Sequence, residues 1–138
     1  PYTPPATQTL MEELLSNGGR RRFKSHNGRY LTDEYQFFVK PWNREKVQDF
    51  IIEQINENEV AIKSKGGYLS HRAGAFPETR AYPNAWEMLT PVKNGDGSWS
   101  FKSRGDKWLA SFIGATTRAF FMSDNENNES THWWLESY

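Results

Sequence analysis

The chain has 138 residues, 15% of them aromatic, with 17 Lys plus Arg against 17 Asp plus Glu and a formal net charge of zero. A neutral chain has no bulk attraction to polyanions, so no nucleic-acid partner is expected. Without cysteine it has no disulfide framework, thiolate metal site or thiol chemistry, and no apolar run approaches the roughly 18 residues that cross a bilayer.

Residues 1–19 read as an N-terminal extension. Thr9-Leu10-Met11-Glu12 has the capping-box pattern, and Leu10, Met11, Leu14 and Leu15 would share one helical face. Asn17-Gly18-Gly19 supplies the stop. A helix of this length is marginal alone, so it is expected to cap one end of the body that follows.

From Arg20 onward the chain says nearly the same thing three times. Phe23-Lys24-Ser25, Ile62-Lys63-Ser64 and Phe101-Lys102-Ser103 share one spacing. Each is an apolar residue beside an outward cation, the alternation of a half-buried strand. Turns follow at Ser25-His26-Asn27-Gly28, Lys65-Gly66-Gly67 and Arg104-Gly105-Asp106, with glycine expected at positive φ. Then come Tyr30-Leu31, Tyr68-Leu69 and Trp108-Leu109. A third strand is predicted at Phe37-Phe38-Val39, Arg80-Ala81-Tyr82 and Ala119-Phe120-Phe121-Met122. An aromatic-x-apolar step closes each unit, at Phe50-x-Ile52, Trp86-x-Met88 and Trp133-x-Leu135.

Such units, four short strands in about 39 residues, span approximately 20–57, 58–96 and 97–138. One unit cannot bury its apolar face, whereas three can close around a shared core. A propeller would need at least four blades. The expectation is an all-β chain, a single β-trefoil domain over 20–138 with a short helical appendage over 1–19, and a monomer.

The pattern apolar-Lys-Ser-x-x-Gly-x-Tyr-Leu-Ser, met most fully in Ile62-Lys63-Ser64-Lys65-Gly66-Gly67-Tyr68-Leu69-Ser70, resembles the repeats of fascin-like β-trefoils. The resemblance implies a noncatalytic cytoskeletal protein binding filamentous actin. It includes the single trefoils of the hisactophilin type, but with only His26, His71 and His132 present the pH-switched membrane behaviour of those histidine-crowded proteins is not implied.

Two surfaces are candidates for binding. The first turns carry Lys24, Lys63 with Lys65, and Lys102 with Arg104, preceded by Arg20, Arg21 and Arg22. Together these would form a local basic patch for an anionic protein such as actin. The alternative is a glycan, held by Trp42, Phe76 and Tyr82 with Asn84 for the hydroxyls, because sugars stack on exposed rings. Ricin-like sugar binders carry a Gln-x-Trp step in each repeat, and none occurs here.

No cofactor, metal or catalytic role is assigned. The histidines lack close-pair ligand spacing, and the run Asp124-Asn125-Glu126-Asn127-Asn128-Glu129 lacks the mid-loop glycine of an EF-hand. No nucleophile elbow, phosphate loop or His-Glu-x-x-His motif appears. The cysteine-free composition agrees with a cytoplasmic location and equally with many secreted domains. The absence of Met at position 1 fits a piece of a longer or processed protein.

Overall fold

The computed structural model describes residues 5–33, 37, 39–40, 48–72, 74–112, 118–123 and 128–137. Pro5 opens helix α1 (Pro5–Leu15), a position where its missing N–H costs nothing. The helix thus begins before the predicted capping box, and Thr9 lies inside it. Met11 and Leu14 are buried, whereas Leu10 is 38% exposed rather than part of the inward face. The stop is as expected. Asn17, Gly18 and Gly19 take φ of 54°, 69° and 74°. A Cβ on Gly19 would sit 2.1 Å from the Ile52 carbonyl oxygen, so only glycine fits where the chain turns onto the first strand.

Among the described residues twelve strands follow. Repeat one holds β1 (Arg20–Lys24), β2 (Tyr30–Leu31), β3 (Val39–Lys40) and β4 (Phe50–Gln54). Repeat two holds β5 (Val60–Ser64), β6 (Gly67–Ser70), β7 (Glu78–Arg80) and β8 (Leu89–Lys93). Repeat three holds β9 (Trp99–Ser103), β10 (Trp108–Phe112), β11 (Arg118–Met122) and β12 (Trp134–Glu136). The first and last strands of the repeats pair in a ring: β1 with β4, β4 with β5, β5 with β8, β8 with β9, and β12 with β1. The ring closes between β9 and the residue before β12, where Trp99 and Trp133 exchange backbone hydrogen bonds of 2.7 and 2.8 Å. The inner strands form three hairpins, β2–β3, β6–β7 and β10–β11. A six-stranded barrel capped by three hairpins is a β-trefoil.

The core is built in equivalent triplets. Phe23, Ile62 and Phe101 are fully buried, as are Leu31, Leu69 and Leu109, and Phe50, Leu89 and Trp133. Phe23 packs edge-on against Phe50 at 5.5 Å and lies 5.6 Å from Phe101.

Three details differ from the sequence pattern. The closing strand of repeat two begins at Leu89, so Leu89 fills the place taken by Phe50 and Trp133. Trp86 and Met88 lie upstream, with Trp86 in a 3-10 turn (Ala85–Glu87) and 44% exposed. The third strand of repeat two is Glu78–Arg80, which leaves Tyr82 in a loop. In the turns, positive φ falls on Gly28, Gly67 and Asp106 rather than on Gly66 or Gly105.

The repeated Lys, Ser and aromatic positions have one structural explanation. Lys24 pairs with Tyr30, Lys63 with Tyr68 and Lys102 with Trp108 across the first hairpin of each repeat. Each ammonium lies 5.6–6.0 Å from its partner's ring centroid, within range of a cation–π attraction. Ser25, Ser64 and Ser103 are buried at the turn starts, where their hydroxyls satisfy turn backbone groups. Triplication therefore preserves a hairpin device as well as a core.

Candidate functional site

In repeat two the chain leaves β6 through buried His71, returns as β7 and then loops through Ala81–Asn84 into the 3-10 turn. Asn84 and Glu87 are three residues apart, and the Asn84 N–H donates to Glu87 Oε1 at 2.9 Å. Glu87 Oε2 accepts the Ser70 hydroxyl at 2.7 Å. Buried Glu87 thus ties the turn to the end of β6, satisfying a carboxylate that would otherwise be costly to bury.

These connections shape a depression of about 260 Å³ bordered by Arg72, Arg80, Tyr82, Asn84, Trp86 and Glu87. Tyr82 is 73% and Trp86 44% exposed. Large rings left in solvent forgo burial that each could otherwise contribute. A larger groove of about 430 Å³ beside α1 has no aromatic in its lining of Gln8, Met11, Glu12, Leu15, Gln54 and Glu57.

Trp86 is held from beneath. Its carbonyl accepts the His71 backbone N–H at 2.9 Å, and its ring meets the His71 imidazole edge-on at 5.8 Å. His71 in turn stacks on Phe121 at 4.2 Å, and its Nδ1 lies 2.7 Å from Ser103 Oγ. Ser103 Oγ also accepts the Lys107 N–H, and its own proton is free to go to an unprotonated Nδ1 of a neutral imidazole. Burial, and secondarily the charge of Lys107, pushes the His71 pKa down, in keeping with that assignment.

Of the four aromatic-site residues expected from sequence, Tyr82 and Asn84 come together at this depression. Phe76 is 43% exposed but does not border it; the Arg118 guanidinium carbon lies 3.9 Å from the Phe76 ring centroid. Trp42 lies outside the described residues. Trp86 and Arg72 were not anticipated. Trp86 was expected to face inward, and the adjacent Pro83-Asn84 turn signal was the available hint that the strand had not yet begun.

Most of the basic residues are buried or face a carboxylate. Arg21 and Arg22 are buried. Arg21 donates to the Ser16 and Glu13 carbonyls at 2.8 and 3.1 Å, and Arg20 and Arg22 flank Asp49. Lys24 faces Glu136 at 4.0 Å, Lys102 pairs with Asp106 at 2.8 Å, and Arg104 makes two contacts to Glu59. The Arg104 bonds hold the Glu59 carboxyl below its usual range, and Lys102 does the same to Asp106. Lys63 and Lys65 are exposed and have no carboxylate partner among the described residues.

No protein-family model and no curated protein matches the sequence. Solved structures match the fold. The designed 3-fold symmetric protein ThreeFoil aligns with a TM-score of 0.73 at 13% identity, over 87% of this chain and 99% of its own. SeviL, solved with the asialo-GM1 saccharide, aligns at 0.72 and 10% identity over 85% of this chain and 95% of its own. The GlcNAcα1-4Gal-releasing endo-β-galactosidase of Clostridium perfringens aligns at 0.71 and 14% identity over 84% of this chain. There the match spans only 31% of the enzyme. At these identities the likeness establishes the β-trefoil fold alone.

Proposed function

We propose that the protein is a noncatalytic saccharide-binding module whose site is the Tyr82–Trp86 depression. The observation that carries this reading is the pairing of two solvent-exposed rings at one concave, polar-rimmed surface. A sugar ring presents C–H groups to an aromatic face and hydroxyls to its edge. Tyr82 and Trp86 supply the faces, and Asn84 and Arg72 supply polar groups at the rim. The support beneath Trp86 limits the ordering that a ligand would have to impose. SeviL, with its bound saccharide, offers a fold-level precedent.

The test is a glycan array followed by calorimetry with the best saccharide. Tyr82→Ala and Trp86→Ala should each weaken binding about tenfold or more, equivalent to about 1.4 kcal/mol. Phe76→Ala should leave it unchanged. Full affinity in the Tyr82→Ala protein would move the site elsewhere.

The fascin-like reading, binding to filamentous actin, keeps one observation in its favour: Lys63 and Lys65 are exposed and have no carboxylate partner among the described residues. Salt-sensitive cosedimentation lost in a Lys63→Glu, Lys65→Glu protein would favour it. Absence of pelleting at low salt would remove it.

A further inference from the structure

We infer that this depression selects saccharides carrying an anionic group, a carboxylate or a sulfate, over their neutral counterparts. The inference rests on the saccharide reading above and follows from the donors and acceptors that the depression has left to offer.

A neutral sugar presents hydroxyls, each a donor as well as an acceptor, and a free carboxylate on the protein is well suited to receive them. The carboxylate bordering this depression is already committed. Glu87 is 3% exposed, with Oε1 taken by the Asn84 N–H and Oε2 by the Ser70 hydroxyl. The neighbouring Glu78 carboxylate lies 2.5 Å from Arg80 Nη2.

The donors are in the opposite condition. Arg72 is exposed on the rim, and among the described residues no carboxylate lies within ion-pair distance of its guanidinium. Arg80, by contrast, faces Glu78 through Nη2 and has its Nε buried, so Arg72 is the guanidinium that the rim presents to solvent. A guanidinium is a planar fork of N–H donors and no acceptors, matched to the oxygens of a carboxylate or sulfate. Arg72, Tyr82 and Trp86 therefore combine ring-stacking surface with a positively charged donor fork open at the rim. A ligand with a pyranose ring bearing an acidic substituent uses both features. A neutral ring offers the Arg72 fork only uncharged hydroxyl oxygens, which make weaker bonds than a carboxylate or sulfate.

The experiment compares the intact protein on an array of matched neutral, sialylated, uronate-containing and sulfated glycans, followed by calorimetry on the strongest matched pair. The anionic member should bind about tenfold tighter or more. Arg72→Gln should reduce that preference to within about twofold, the anionic member losing more affinity than the neutral one. Tyr82→Ala should weaken both members. The sialylated and uronate arms against the sulfated arm decide which acidic group is the source. Equal binding of neutral and anionic members overturns this inference and leaves the saccharide reading standing, whereas no binding to any glycan overturns both. A preference abolished by Lys63→Glu with Lys65→Glu, but kept in Arg72→Gln, would show general surface charge at work and overturn the assignment to this site.

Discussion

Tyr68 Oη donates a 2.6 Å hydrogen bond to Glu53 Oε1, joining the first hairpin of repeat two to the closing strand of repeat one. Tyr30 makes the same 2.7 Å bond to Glu136, three residues past Trp133 as Glu53 is three past Phe50. The third interface has Trp108 in the tyrosine place and Val92 in the glutamate place, three past Leu89. Donor and acceptor have been replaced together. The bond to Glu53 pushes the Tyr68 pKa up. Tyr68→Phe leaves the ring and its Lys63 contact but removes the donor from a half-buried carboxylate. It should cost about 1–2 kcal/mol in urea unfolding, and an unchanged midpoint would show that water replaces the bond.

Arg21 stands two residues before Phe23, the place held by Val60 before Ile62 and by Trp99 before Phe101. All three are buried. In repeat one the guanidinium meets carbonyls at the end of α1 and the Ser16 hydroxyl. Arg21→Met should keep the barrel but leave those carbonyls unpaired, costing about 1–3 kcal/mol. Hydrogen exchange should rise in residues 8–16 more than in β5 or β9. Uniform loss of protection would mean that the helix is not a separable cap.

His71 gives a pH dependence. Its folded pKa lies below the ordinary 6.5, chiefly through burial. Above that value both folded and unfolded states hold a neutral ring, and stability is full. As pH falls below about 6.5 the unfolded chain takes up the proton first, so stability declines toward the folded pKa. The melting temperature should fall from about pH 7 to about pH 5, with a smaller slope in His71→Gln. Asp96 acts lower. Its carboxyl is held down to about 2, first by the Ser98 hydroxyl, so its contribution is lost as pH falls from about 4 toward that value. The two groups should therefore be separable in one titration.

Gly105 tests the platform beneath the proposed site. A Cβ there would lie 3.1 Å from His71 Cε1, 3.2 Å from Nδ1 and 3.3 Å from Trp86 Cζ3. Gly105 is outside the positive-φ set, so Gly105→Ala tests crowding without backbone strain. It should cost about 1 kcal/mol and weaken the best saccharide ligand by shifting Trp86. Lost stability with unchanged affinity would separate the platform from the site.

The three Phe/Ile-Lys-Ser strands, the Tyr/Trp-Leu steps and their common spacing were legible because strand alternation and turn chemistry are local, and repetition multiplies a weak signal. Those residues determined a threefold β body by themselves, since one unit has an apolar face that it cannot cover. Tertiary structure decided what local pattern leaves degenerate. Trp86-x-Met88 satisfies the closing-step pattern, yet Leu89 pairs with Val60 and Ser103 and so takes the core position. Arg21 and Arg22 read as surface cations, yet one finds helix carbonyls and the other Asp49 once the barrel and helix meet. The Tyr82–Trp86 depression has the same origin: when Leu89 occupies the core, Trp86 is left outside. Which aromatic is buried and which is displayed depends on partners distant in sequence, and only the closed barrel brings those partners together.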